Sequence, residues 1–212
     1  MKRIIYSAIG FAFIGSVAYA QGFNTTGGYG NPVLDTKGAG YVNTDGLKAT
    51  YSYQINDFTS LVASATDVVV LTGSATKTVK VTQVCVGGDA TAAAVYDVYL
   101  YKHTIANTGG TATNPAAVKH DSLDVAATAT LSLYTANPTI DTTKALLRGG
   151  HAVLVNGTTP AWANPPTCWQ FGSNMEEKLT LRGVAQELAI SHGGGTVPSG
   201  ASMYYTITWT EE

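Results

Sequence analysis

Charge is what this sequence has least of. Lys, Arg, Asp and Glu make up 12% of its 212 residues and nearly cancel, leaving a formal net charge of −2. Soluble domains carry about 25%. So weak and balanced a charge excludes a basic nucleic-acid surface and an acidic solvating tail. Cysteine is nearly absent, with 2 residues, and the 4 histidines stand singly, with no H-x-x-x-H or comparable metal spacing. After the first twenty residues no apolar run approaches the ~20 residues that a membrane helix needs. Sustained heptads and a βα alternation are missing too, which excludes a coiled coil and leaves no frame for a doubly wound enzyme.

Glycine (23 residues), tyrosine (12) and abundant threonine and alanine dominate instead. Such a chain favours short strands and turns over helices. Residues 1–20 combine Lys2 and Arg3, an apolar stretch from Ile4 to Val17, and Ala18-Tyr19-Ala20. Together these have the form of a secretory signal with cleavage before Gln21, after which no membrane segment is expected. Residues 21–48, rich in Gly, Asn and Thr, form an extended arm. From residue 49 to 212 the pattern is that of one β-domain.

Alternation places strands at Ala49–Ile55, Asp67–Gly73, Lys77–Val86, Ala93–His103 and Ala127–Tyr134. Shorter runs follow at Ala152–Val155, Cys168–Phe171, Lys178–Leu181, Gln186–Ile190 and Ser202–Trp209. Val79 and Val81 are out of phase with Val84, which predicts a bulge near Gln83. Ala93–His103 has large side chains on both faces and is read as central in a sandwich. Thr142–Arg148 is the one candidate short helix, and Thr104–Asp124 is a long polar loop suited to surface function. The fold class is therefore all-β: an antiparallel β-sandwich, jelly-roll-like, with an N-terminal arm.

Chemistry is thin. His120-Asp121 in the long loop is the one adjacent pair with the chemistry to bind a metal or orient a proton, and a solvated loop pair is the simpler reading. Glu176-Glu177 are sequence neighbours, whereas a glycosidic bond needs opposed carboxylates. No G-x-S-x-G elbow occurs, and Gly193-Gly194-Gly195 runs on to Pro198 and a strand rather than to a helix that would complete a phosphate cradle. No cofactor motif is present. Trp162 and Trp169, flanking a Pro-rich stretch, are candidates for a carbohydrate or partner surface, set against simple packing. Cys85 and Cys168 form either one disulfide or two packed thiols.

Several segments occur in order: Ser64-Ala-Thr-Asp-Val, Leu71-Thr-Gly-Ser-Ala-Thr-Lys-Thr-Val-Lys-Val-Thr, Asn107-Thr-Gly-Gly-Thr-Ala-Thr-Asn-Pro-Ala-Ala-Val, His120-Asp-Ser-Leu-Asp and Tyr134-Thr-Ala-Asn-Pro-Thr. Trp169-Gln-Phe-Gly, Leu181-Arg-Gly and a closing Ile207-Thr-Trp-Thr-Glu-Glu complete the series. It resembles a family of β-rich proteins encoded in tailed-phage and prophage genomes and taken as virion structural or decoration proteins. The resemblance spans residues 47–212 and implies a non-enzymatic subunit whose partners are copies of itself or other virion proteins. The signal-like N-terminus and the cysteine pair depart from that pattern. They point to an alternative, an exported bacterial surface or fibre subunit, with glycan binding as a further option.

Overall fold

The structure is a computed structural model in which residues 48–156, 165–172 and 177–212 are described. Segment 1–20, the arm 21–48 apart from Lys48, Trp162 and Glu176 lie outside the described residues. Twelve strands and no helix occur among the described residues: β1 (Ala49–Phe58), β2 (Asp67–Thr72), β3 (Thr78–Ala90), β4 (Ala94–His103), β5 (Thr111–Thr113), β6 (Val118–Lys119), β7 (Thr130–Ala136), β8 (Ala145–Asn156), β9 (Thr167–Gln170), β10 (Leu179–Arg182), β11 (Glu187–Ser191) and β12 (Ser202–Glu211). They form a curled sheet in the order β5-β7-β2-β11-β4-β8-β3-β12-β1-β6, with β9 and β10 also pairing β3. All ladders are antiparallel except the short β3–β8 contact at Asp89 and Ala90, where the two halves of the sandwich join.

The two halves enclose one core because each strand turns alternate residues inward. Val69 and Leu71, Val98 and Leu100, Leu131 and Leu133, and Leu188 and Ile190 come from one half. Tyr51, Val79, Val81, Met203, Tyr205, Ile207 and Trp209 come from the other. The predicted bulge is present: Thr208 faces Gln83 while Trp209 faces Val81, so Thr82 is the extra residue. This single insertion shifts the inward phase from Val79 and Val81 to Val84 and Val86, all four fully buried. Where β3 passes between the halves, a Cβ on Gly88 would lie 2.5 Å from the Ser202 carbonyl oxygen, so only glycine fits that approach.

Cys85 and Cys168 face each other across β3 and β9 and are bonded, which settles the choice between disulfide and thiols. The bridge closes a loop of sequence separation 83. Such a loop is worth about 4–5 kcal/mol on the chain-entropy account.

Three expectations need correction. Thr142–Arg148 holds no helix. Asp141 Oδ1 accepts the Thr143 amide at 2.8 Å to make a turn, and β8 starts at Ala145. Cross-strand pairing with β4, from Lys102–Ala145 onward, overrides the mild helical propensity of Ala-Leu-Leu-Arg. The 104–124 loop is not wholly irregular, since it contributes β5 to the edge at β7 and β6 to the edge at β1. Finally, β4 is central in its sheet, but its odd-numbered face is packed only at His103: Tyr96, Val98 and Leu100 are buried on the even-numbered face, whereas Val95 is 61% exposed.

Candidate contact surface

The odd-numbered residues of β4 point away from the core together with their partners on β8. The register sets Val95 beside Val153, Asp97 beside His151, Tyr99 beside Gly149 and Tyr101 beside Leu146. Val153 and Leu146 are 52% and 57% exposed. Asp97 Oδ1 accepts a hydrogen bond from His151 Nδ1 at 2.8 Å, with both side chains at least half exposed. Tyr99 donates to Asp97 Oδ2 at 3.3 Å, and the carboxylate beside it pushes its hydroxyl pKa up.

The Tyr99 ring spreads over two glycines. A Cβ on Gly149 would touch it at 3.5 Å, and one on Gly193 would press it at 2.9 Å. Gly193 also has φ +65°, a conformation that glycine adopts without penalty. Tyr101 lies 6.0 Å from Tyr99, and Lys144 Nζ sits 4.2 Å from the centre of its ring. The result is a sheet face of valine, leucine and tyrosine with one histidine–aspartate pair near its middle.

The neighbouring part of the same outward face is covered. Asp67 on β2, His103 on β4 and Glu187 on β11 are buried side by side beneath Asn107. Asn107 Nδ2 donates to Asp67 Oδ2 at 2.8 Å and its amide donates to Glu187 Oε2 at 2.9 Å. Thr72 donates to Glu187 Oε1 at 2.9 Å. The Asn107 side-chain oxygen is then left to accept from His103 Nδ1 at 3.1 Å. His103 Nε2 stands 3.5 Å from Asp67 Oδ2, and neither that nitrogen nor Asp67 Oδ1 has a hydrogen-bond partner. Burial pushes the Glu187 carboxyl above its ordinary pKa despite the bonds it accepts.

The covering segment is pinned by Asp141 Oδ2, which accepts the amides of Thr104 and Ile105, each at 3.2 Å. Hydrogen bonds from Thr143 are the main reason its carboxyl lies well below the usual carboxylate range. Reciprocal backbone bonds between Thr108 and Thr139 extend the attachment.

On the inner side, His192 is buried between Tyr96, stacked at 4.1 Å, and Tyr205. The Asp97 carbonyl oxygen accepts from Nδ1 at 2.7 Å, so Nε2 is the acceptor for the Tyr205 hydroxyl, also at 2.7 Å. Burial holds this imidazole neutral, with its pKa lowered to about 4.

The sequence candidates are dispersed. His120 is exposed at the end of β6, where its amide bonds the Thr50 carbonyl at 2.9 Å. Asp121 Oδ1 caps the Leu123 amide at 2.9 Å and makes no bond to His120. Trp169 is half-buried, its indole packed over Gly150. Among the described residues no three His, Cys, Asp or Glu side chains are grouped to hold a metal ion. A shallow depression lined by Thr82, Gln83, Gln170, Phe171, Gly172 and Lys178 contains one titratable side chain.

Tyr99, Tyr101, His151, Val95 and Val153 did not stand out in the sequence. The one sequence signal that points to them is the double-sided apolar pattern of β4 set against the Gly149-Gly150 pair of its neighbour. The chain matches no protein-family model, no curated protein and no solved structure.

Proposed function

We propose that this chain is a non-enzymatic structural subunit acting through lattice or homo-oligomeric contacts, in the manner of the virion decoration proteins that its sequence resembles. The observation that carries this reading is the β4–β8 face, whose apolar side chains the described residues leave exposed. Val95, Val153 and Leu146 lie exposed around two tyrosines on a regular sheet surface. Exposed apolar side chains set among tyrosines on either side of one polar pair suit a contact site, where tyrosine is enriched. The described polar clusters suit structure better than turnover, because Asp67, His103, Glu187 and His192 are buried with bonds to the fold itself. With a net charge of −2, assembly would depend on burial more than on steering and respond weakly to salt.

The test is sedimentation of the protein taken from its native source. Recovery with high-mass particles that persist in moderate salt supports the reading, and recovery wholly as a free monomer overturns it. A second reading, an exported surface or fibre subunit, is favoured by the Cys85–Cys168 bridge, since such bonds persist in oxidising compartments. An extracellular chain starting at Gln21, with an intact mass showing the bridge, would decide for it.

A further inference from the structure

We infer that the β4–β8 face pairs with the same face of a second copy about a two-fold axis running along the strands, between β4 and β8. This deepens the assembly reading and rests on it. The argument is the cross-strand register. An isologous interface requires that if residue i meets residue j, then j meets i. A two-fold along the strands keeps each row opposite itself and exchanges the strands, so β4 of one copy lies over β8 of the other.

Every row is then matched. Val95 meets Val153 of the partner subunit, Tyr101 meets Leu146 of the partner subunit, and Asp97 meets His151 of the partner subunit. In one copy Asp97 and His151 are already bonded through Nδ1 at 2.8 Å, while Nε2 makes no hydrogen bond and the side chain is 65% exposed. Pairing offers that nitrogen a second carboxylate and turns two exposed pairs into a ring of four alternating groups. The middle of the face is low enough for this approach, because Tyr99 lies over Gly149 and Gly193 instead of standing up from the sheet. The two Tyr99 rings then meet near the axis, where aligned sheets pack about 10 Å apart.

A two-fold across the strands through Tyr99 fits worse. It would set the Asp97 carboxylate against Tyr101, and Val95 against the His103 row, which is buried under the Asn107 segment.

The test uses the full chain in sedimentation velocity across micromolar concentrations, with circular dichroism to establish that each variant is folded. Wild type is expected to dimerise, and V95K and V153E are each expected to weaken the dimer by roughly a hundredfold, because each places a charge against an apolar partner. Mixing V95K with V153E restores a heterodimer, since position 95 of one copy faces position 153 of the other, whereas mixing V95K with V95E does not. A V95K chain that associates as wild type does, or rescue by V95E in place of V153E, overturns the pairing while leaving a structural subunit that assembles through another face. A monomeric wild type also overturns it. If polysaccharide then quenches tyrosine fluorescence and Y101A abolishes the effect, the face belongs to a sugar. Native particles that sediment without wild-type self-association would keep the assembly reading and reject only this interface.

Discussion

His103 and His151 lie on the same outward side of neighbouring strands, and each has a carboxylate beside it, yet their surroundings are opposite. His103 is fully buried between Asp67 and Glu187, with Asn107 laid across all three. His151 reaches a single carboxylate among the described residues, Asp97, and both side chains are at least half exposed. The strands and the residue types are alike, so the difference is made by the segment after β4. Held by Asp141 and by the Thr108–Thr139 bridge, that segment places Asn107 over Glu187 of β11 and Asp67 of β2. One carboxylate–histidine group thereby becomes an internal lock for a loop, and the other remains available to a partner.

The sharpest way to break this comparison is His103→Ala. It would remove a fully buried ring from between Asp67 and Glu187 and leave the Asn107 side-chain oxygen without its donor, and the lost packing and hydrogen bond together cost about 3–5 kcal/mol. Urea unfolding should show a loss of that size. A loss below about 1 kcal/mol, the range of exposed pairs, would mean that the covering segment excludes little water.

His192 sharpens the comparison by adding a third setting, burial with hydrogen bonds to a backbone carbonyl and a tyrosine hydroxyl and none to a carboxylate. Its pKa in the fold, about 4, lies below the ordinary 6.5, so the unfolded chain takes up a proton first as pH falls. The stability it contributes is complete above pH 6.5, is lost as pH drops from 6.5 toward 4, and levels off below that. The loss is on the order of 3 kcal/mol. His192→Phe should flatten this part of the stability–pH profile, whatever it costs at neutral pH by leaving the Tyr205 hydroxyl without its acceptor. An unchanged slope would show that the acid sensitivity comes from other groups.

Gly193→Ala probes how the open face is kept low. The new Cβ would meet both a φ of +65° and the Tyr99 ring at 2.9 Å. A left-handed alanine costs about 1–2 kcal/mol before the ring is displaced. Thermal unfolding reads that cost, and near-ultraviolet circular dichroism reads the movement of Tyr99. A neutral substitution with unchanged tyrosine signals would show that the ring does not rest on Gly193.

Much of the covered core was legible in the sequence, because strand periodicity is a local property. The phase change from Val81 to Val84 located the bulge that Thr82 makes, and Ser202–Trp209 proved to be a strand whose inward residues are Met203, Tyr205, Ile207 and Trp209. Thr142–Arg148 offers a candidate helix to local reading because the pairing partner of its strand residues, β4, lies more than forty positions away and nothing local announces it. Both histidine groups were invisible for the same reason: Asp67, His103 and Glu187 come from three separate strands. Alternation showed that β4 has two apolar faces. It had no means of showing which part of the outward face the described residues cover, since that depends on where the 104–110 segment comes to rest.

The smallest expected effect is at His151. In one copy its imidazole has a single bond to a half-exposed carboxylate, where water competes and the side chains give up rotational freedom to pair. His151→Ala should therefore change the stability of the monomer by about 0–1 kcal/mol, and a double-mutant cycle with Asp97→Ala should give a coupling in the same range. The measurement belongs at two protein concentrations, one below and one above self-association. If the face stays open, the cycle reads the same at both. If a second copy closes over it, the coupling grows with concentration, because each histidine then faces a carboxylate from either chain in a site from which water has been removed. A large coupling already present in the dilute monomer would erase the contrast with His103 and place both histidines in the same structural role.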